Sequence, residues 1–567
     1  MNESIRQALV LGAERVAAWA DLLDSINVFP VADGDTGRNL KISLSPLREP
    51  AADRERMVHL LLLNARGNSG NIAARFFSGF LTASTAADIP AAARLGRDRA
   101  WQAVHEPRQG TMLTLFDALA GSLGGTAPSP AQLPAVIGRL EEAVRSTTDL
   151  LPKLKEAGVV DAGALGMFIY FEGFLASLAG DTAGFRPVTE VFGDRLVIAP
   201  SFTREREEGY CIDITLDAGR EHDAAARDLA GMGESVVVIP GEDYLKVHLH
   251  AASAADVRKR LESMGRIVRW SDDDLSEQVR EFGTPAGIGP AHVMTDAAGS
   301  VTRDDARRLG FTLLDSYITV GDMAAPETCV DQAELYAAMR RGERASTSQA
   351  SDFERSEIYR SMLGRHNRVL YVCVGSAFTG NFGVASRWNE SHDPEGRLTV
   401  VDTGAASGRL GAIAIATTRF AARAKTADEV AGFARRAVER CREYIFIDNL
   451  RFLAAGGRIS KTKAFFGTML NMRPVVTPTA EGVIRAGVAK NFEEQLVFAL
   501  ARLAEEAGPR PFILLQYTDN RALVEERVMP AIASRHPGAE IRLVPLSLTT
   551  GVHTGPGTWS LAFLPET

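Results

Sequence analysis

Residues 27–39 read Asn-Val-Phe-Pro-Val-Ala-Asp-Gly-Asp-Thr-Gly-Arg-Asn, which puts two carboxylates, Asp33 and Asp35, one residue apart in a Pro- and Gly-punctuated stretch. This donor set suits a hard divalent cation. Mg²⁺ takes a few carboxylates and completes its octahedron with water and substrate phosphates. Gly34 and Gly37 let the stretch bend so that the carboxylates converge, while Thr36 and Asn39 add neutral oxygen ligands or phosphate donors. The same residues are good turn formers, so alone they read equally well as a type I turn. A second polar, Gly-rich loop at residues 64–71, Asn-Ala-Arg-Gly-Asn-Ser-Gly-Asn, tips the reading towards a phosphate site. Gly110 and Thr111 stand at a predicted helix start, where free N–H groups and the helix dipole favour an anion. Ordinary N-capping is the competing reading for Thr111.

Such loops need a scaffold. A chain of 567 residues exceeds one core, so three or four domains are expected. A net charge of −8 gives no support to a nucleic-acid partner or a polybasic membrane anchor. The four cysteines, Cys211, Cys329, Cys373 and Cys441, are too scattered for a disulfide framework, which suits a reducing compartment. Charges run through the first 23 residues, unlike a signal peptide. The apolar run 163–180 is interrupted by Glu172 and reads as a buried helix rather than a membrane span. A cytoplasmic protein with peripheral or no membrane contact is expected. Up to about residue 180, Ile5, Leu9, Val16 and Leu23 recur at helical spacing, as do apolar faces at 60–63, 76–81 and 131–144. An all-α bundle with its motifs at the loop ends follows.

Four ordered stretches, NVFPVADGDTGRN, NARGNSGNI, EPRQGTMLT and LKEAGVVDAGALG, resemble the nucleotide-binding domain shared by fatty acid kinases and the L subunit of dihydroxyacetone kinases. The resemblance covers residues 1–183 and implies an eight-helix barrel whose open end holds ATP and Mg²⁺. It implies Asp33 and Asp35, with Asn27, as metal ligands, and Asn39, Asn68, Ser69, Thr111 and Asp161 as nucleotide contacts. Arg38, Asn64 and Asn71 depart from the small or apolar residues usual in the family.

From 184 to 282 the pattern changes to short β-type runs at 195–198, 211–216, 235–239 and 244–250, with helices expected at 224–232 and 254–264. His248 and His250, two apart on one strand, project to the same face. The residues alone favour two ordinary strand histidines over zinc ligands. GYCIDITL and DYLKVHLHA, however, resemble the central domain of fatty acid kinases, which implies Cys211, His248 and His250 as ligands of Zn²⁺. Three ligands leave a position for water or substrate, compatible with structural and catalytic zinc alike.

Three glycines and two prolines at 283–290 mark a linker. Beyond it, strands at 292–295, 369–374 and 398–401 each enter a polar loop, the rhythm of an open α/β sheet that binds ligands off its carboxyl ends. A second lobe is expected from about Tyr444, with strands at 511–516 and 540–544. The polar residues at the expected cleft are hydroxyls and one imidazole, at 346–349, Ser376, Thr379 and His553 in a Gly-rich loop. Such a set suits a single carboxylate better than a polyphosphate. STSQAS, GSAFTG, the run 448–477 and GVHTGPG resemble the DegV-type fatty-acid-binding proteins over 291–567. The resemblance implies a two-lobed α/β domain holding a long-chain fatty acid, its carboxylate on Thr347, Ser348, Ser376, Thr379 and His553. It puts Arg458 near the mouth, where it docks the kinase domain. Ala297 and Gly375 replace hydroxyls usual in that family.

The expectation is therefore a multidomain chain that makes acyl phosphate from ATP and a bound fatty acid, with Mg²⁺ on Asp33 and Asp35 and with His553 positioning the acceptor. Transfer within one chain or across a homodimer, and a downstream enzyme that uses the acyl phosphate, belong to this expectation. The alternatives are a lipid-binding or docking protein whose C-terminal domain presents no substrate, and a dihydroxyacetone-type kinase.

Overall fold

The computed structural model describes residues 1–50, 53–123, 129–181, 184–203, 208–217, 229, 232–241, 244–282, 289–321, 323–455 and 472–566. It divides into two compact units, 1–284 and 285–567.

The first unit begins with helices α1 (Glu3–Ser25), α2 (Thr36–Ser43), α3 (Arg54–Asn64), α4 (Gly67–Phe80), α5 (Ile89–Ala103), α6 (Met112–Ser122), α7 (Leu133–Leu150), the single turn α8 (Pro152–Ala157) and α9 (Ala162–Ala179). The anticipated stripe of α1 is buried, and α1 packs along α9. Helix α9 is long and apolar enough to cross a membrane, but most of it is buried inside the bundle. Its one carboxylate, Glu172, accepts a 2.6 Å hydrogen bond from Arg15 Nη1 on α1, both side chains being buried. Phe76, Phe77 and Phe80 on α4 meet Phe171 of α9, and Phe76 stacks on Phe116 of α6 at 4.0 Å. This aromatic core ties the helices together beneath their loops.

Strands β1 (Tyr210–Asp217), β2 (Glu234–Pro240), β3 (Leu245–Ala251) and β4 (Arg266–Asp274) form an antiparallel sheet ordered β2-β3-β1-β4. Period-2 alternation gives it two unlike faces. Ile212, Ile214, Leu216, Val247 and Leu249 form a core with Val257 and Leu261 of helix Ala254–Glu262. Cys211, Asp213, Thr215, Lys246, His248 and His250 alternate with them. All but His250 are buried, because the sheet lies against the bundle: Val104 bridges Val237, and His105 N–H donates to Val236 O at 3.1 Å. Residues 193–196, where a strand was expected to begin, make a 3₁₀ turn instead. Strand β4 and helix Leu275–Phe282 were not anticipated, since RIVRWSDDD is too charged to read as a strand. Most of the helix expected at 224–232 and residues 283–288 of the linker lie outside the described residues.

In the second unit β5 (His292–Asp296), β6 (Thr312–Leu314), β10 (Val369–Cys373) and β11 (Leu398–Asp402) form a parallel sheet ordered β11-β10-β5-β6. A three-stranded antiparallel sheet, β8-β7-β9, contains β7 (Tyr317–Val320), β8 (Met323–Pro326) and β9 (Ala345–Ser348). The second lobe is built on β12 (Arg442–Phe446), β13 (Arg473–Thr479), β14 (Gly482–Ala489), β15 (Phe512–Tyr517), β16 (Glu540–Pro545) and β17 (Trp559–Leu564), ordered β14-β13-β12-β17-β15-β16. Only β15 and β16 pair in parallel there, so the open parallel rhythm expected of the whole half holds for the first lobe alone. Helix Ser407–Ala421 touches strands of both large sheets, and the buried Glu443 carboxylate caps it, accepting from the N–H groups of Gly408 and Arg409 at 3.0 Å each.

Candidate active site

Asp33 and Asp35 stand at the turn into α2. Asp33 is buried and accepts a hydrogen bond from the Asn27 amide, and Asp35 is partly exposed. Gly34, with φ +67°, makes the bend. Gly37 does something other than expected. It lies inside α2, and a Cβ there would sit 2.0 Å from Ala20 O, so it lets α1 and α2 touch through their backbones. Asp24 of α1 fixes the same turn by accepting from the N–H groups of Gly37 (2.6 Å) and Arg38 (3.1 Å).

Burial pushes both Asp33 and Asp35 up, and Asp35 pushes Asp33 further. Two carboxylates this close, one of them buried, cannot both ionise cheaply without a cation. The donor chemistry therefore fits Mg²⁺, with Asn27 beside it.

The second loop is knitted to the first. Ser43 Oγ accepts from Arg66 N–H (3.0 Å) and donates to Asn39 O (2.6 Å), and the Asn39 side chain hydrogen-bonds Asp35. Gly67 opens α4 at φ +59°, and a Cβ on it would lie 2.2 Å from Asn39 Nδ2. Asn68 and Ser69 follow on the first turn of α4. Thr111 proves to be the N-cap of α6, accepting from Leu113 N–H at 3.3 Å. Asp161 caps α9, accepting from Ala164 N–H at 2.7 Å, and burial raises it to about 7. Asn27, Asp33, Asp35, Asn39, Asn68, Ser69, Thr111 and Asp161 line one cleft of about 680 Å³. Arg108 and Lys153, which sequence reading missed, line it too and offer cations to a polyphosphate.

Cys211, His248 and His250 open onto the same cleft. Cross-strand pairing sets Cys211 opposite His250 and Asp213 opposite His248. The ligand atoms of the trio lie within 4.8 Å of one another. Tetrahedral zinc needs about 3.3–3.7 Å between such atoms, so a small closure suffices. His248 Nε2 is buried without a hydrogen-bond partner among the described residues. Burial holds the Cys211 thiol well above its usual range and His250 down at about 3, so the imidazole is neutral and free to ligate. An orphaned buried imidazole nitrogen beside a thiol and a second imidazole fits zinc. Asp213, 3.4 Å from His248 Nδ1, is the carboxylate that ligating histidines commonly carry behind them. Its position two residues after Cys211 on a strand was the signal that could have found it. Asn71 no longer stands unexplained, because its amide donates to Asp213 Oδ1 at 3.0 Å.

In the second unit Asp296, at the carboxyl end of β5, is buried and accepts from Arg355 Nη1 (3.1 Å), Tyr371 O–H (2.8 Å), Val374 N–H (2.9 Å) and Asn381 Nδ2 (2.8 Å). This network holds the polar loop after β10. Thr347 Oγ1 and His553 Nε2 meet at 3.1 Å. His553 sits on helix Leu548–Thr554 rather than in a loop, and Thr347 and Ser348 sit on β9. Glu327 anchors that helix, accepting from Thr549 N–H (2.8 Å) and O–H (2.7 Å). Ser376 lies in a turn, not at a helix start: the helix is Asn381–His392, capped by Gly380. Thr379 Oγ1 accepts from Asn381 N–H at 3.3 Å. The Gln349 amide lies 3.6 Å from where a Gly380 Cβ would be, so the two motifs adjoin. Gly375 has a steric reason, since a Cβ there would come within 2.7 Å of the Gly404 backbone. Arg458 lies outside the described residues.

Three family models match in succession: the DAK2 domain at 30–176, the FakA-like middle domain of fatty acid kinases at 207–282, and the uncharacterised DegV family at 290–566. Protein YloV of Bacillus subtilis is 31% identical over 354 residues, covering 55% of this chain and 64% of that protein. An uncharacterized protein of Staphylococcus saprophyticus is 30% identical over 327 residues, covering 52% of this chain and 59% of its own length. The chain thus spans about three fifths of the relatives it matches. Among solved structures, a DegV family protein of Thermus thermophilus described as binding fatty acid is 25% identical with a TM-score of 0.46, and covers 49% of this chain and 100% of its own. The Bacillus subtilis DegV, described as a fatty acid binding protein, is 15% identical with a TM-score of 0.45, over 49% of this chain and 100% of its own.

Proposed function

From a chain whose successive segments match the DAK2 domain, the FakA-like middle domain of fatty acid kinases and the DegV family, we propose an ATP-dependent kinase that phosphorylates the carboxylate of a bound long-chain fatty acid. Residues 1–183 bind nucleotide, 184–282 close the cleft with their polar sheet face, and 291–567 present the acyl acceptor. The observation that carries the reading is the cleft itself. Residues scattered from Asn27 to Asp161, read as metal and phosphate ligands from sequence, line it together.

Mg²⁺ on Asp33 and Asp35 would neutralise phosphate oxygens and orient in-line transfer. Asn39 holds Asp35, the first turn of α4 offers N–H groups to phosphate, and Arg108 and Lys153 supply positive charge. Zn²⁺ on Cys211, His248 and His250 would keep a fourth position for water or substrate. The acceptor carboxylate is ionised at neutral pH, so no strong general base is required. Thr347 and His553 orient it, their mutual contact showing that strand β9 and the terminal helix converge on one point. Transfer requires the acyl-bearing segment to dock on the cleft, within one chain or between two copies, and covalent fusion raises the local concentration for that step. Four unpaired cysteines suit a reducing cytoplasm.

The test is ATP turnover by the purified full chain with Mg²⁺, oleate and hydroxylamine to trap acyl phosphate. Oleate-dependent hydroxamate, lost in Asp35→Ala and in His553→Ala, is expected. Product that forms only after a separate fatty-acid-binding protein is added, and that survives His553→Ala, would reduce residues 291–567 to a docking module.

A further inference from the structure

The Cys211–His248–His250 trio and the phosphate loop are joined by one buried carboxylate. Asp213 is 7% exposed. Its Oδ1 lies 3.4 Å from His248 Nδ1 and accepts from Asn71 Nδ2 at 3.0 Å, and its Oδ2 accepts from Gly67 N–H at 2.9 Å. Gly67 is the first residue of α4, immediately before Asn68 and Ser69 in the cleft wall. Its Cα side abuts Asn39, whose amide hydrogen-bonds Asp35. An unbroken series of contacts therefore runs His248, Asp213, Gly67, Asn39, Asp35. It starts at one candidate metal centre and ends at the other.

We propose that Asp213 is a positioning residue that couples metal occupancy of the Cys211–His248–His250 centre to Mg-nucleotide binding in the cleft, so that each favours the other. This coupling presupposes that the cleft is the nucleotide site. When His248 ligates through its orphaned Nε2, its remaining N–H is on Nδ1 and faces Asp213. Asp213, 3.4 Å away, would accept from that N–H, the role a carboxylate plays behind a ligating histidine. Asp213, fixed in this way, holds Gly67 N–H and the Asn71 amide, and the first turn of α4 is ordered before nucleotide arrives. Nucleotide that meets an ordered loop loses less conformational freedom on binding. Coupling of this kind is typically about 5- to 150-fold and is reciprocal. A single carboxylate bridge belongs near the lower end, about tenfold.

The full-length chain, stripped of metal, is titrated with Mg-ADP by calorimetry, with and without one equivalent of Zn²⁺. Separately, Zn²⁺ affinity is measured by chelator competition with and without Mg-ADP. In the native chain both affinities rise about tenfold, by equal factors. Asp213→Asn keeps the visible spectrum of Co²⁺ on Cys211, His248 and His250 and still binds Mg-ADP, but the coupling factor falls towards one. Asn71→Ala, which removes one arm of the bridge without touching the strand, lowers the factor as well. Native coupling of one, or coupling unchanged in both variants, overturns the proposal while leaving the kinase reading intact. Failure of the native chain to bind Mg-ADP with zinc present overturns both.

Discussion

Replacing Gly67 with alanine tests how the two loops share one geometry. Gly67 has φ +59°, and a methyl group there would sit 2.2 Å from Asn39 Nδ2 and 3.0 Å from its Cγ. The left-handed conformation costs an alanine about 1–2 kcal/mol. Asn39 has to move away, and Asp35 then loses a hydrogen bond of the charge-assisted kind, of order 1.5–3 kcal/mol where no water replaces it. Water reaches the partly exposed Asp35, so the stability loss should lie near the strain alone, about 2 kcal/mol. For a unit spanning residues 1–284 that lowers Tm by about 3–4 °C. The larger effect falls on binding, because loss of a side chain that orients a metal ligand commonly costs about 10- to 100-fold in metal affinity. Calorimetric titration with Mg-ADP and a thermal melt read the two effects separately. Gly138→Ala is the control. It lies within α7 with no atom within 4 Å of its missing Cβ, so it should stabilise by about 0.5–1 kcal/mol and leave nucleotide affinity unchanged. If Gly67→Ala binds Mg-ADP within twofold of the native chain, the contact between the loops does not organise the site and the reasoning fails.

Two further outcomes follow from buried charge. Glu172→Ala leaves Arg15 inside the bundle without its carboxylate partner and should cost about 3–5 kcal/mol in urea unfolding, whereas Glu172→Gln, which keeps a hydrogen-bond acceptor, should cost less. Equal losses for the two would show that packing rather than charge is at stake. In the second unit His292 and His366 stack at 3.8 Å; burial depresses both, His366 to about 4. The unfolded chain takes up these protons near pH 6.5 and the folded chain does not, so stability is full above that pH and declines as pH falls towards 4. After solvent screening of the partly exposed His366, its share of the loss is about 1–2 kcal/mol. A denaturation midpoint that stays flat from pH 7 to 5 would contradict this.

The sequence by itself determined the division into helical, small α/β and larger α/β parts. Helical periodicity, strand alternation and the Gly/Pro punctuation are local properties and survive in one dimension. It also supplied Asp33 and Asp35, because two carboxylates at short spacing carry the donor chemistry. Cys211, His248 and His250 came together only through the family resemblance, their own spacing favouring ordinary strand histidines. Gly37 was misread for an informative reason: a close approach between α1 and α2 depends on a neighbour distant in sequence and leaves no local trace. The charged strand β4 was missed because its polar residues are accommodated by pairing with β1, not by their own alternation. His553 was expected in a loop because of its flanking glycines, yet Glu327, far away in the chain, holds it on a helix. Above all, only the tertiary structure decided that the polar face of the middle sheet lies against the mouth of the helical bundle. Burial there gave Asp213 partners far away in the chain, since a buried carboxylate must find hydrogen-bond donors and those within reach are Gly67 N–H and the Asn71 amide, with His248 beside it.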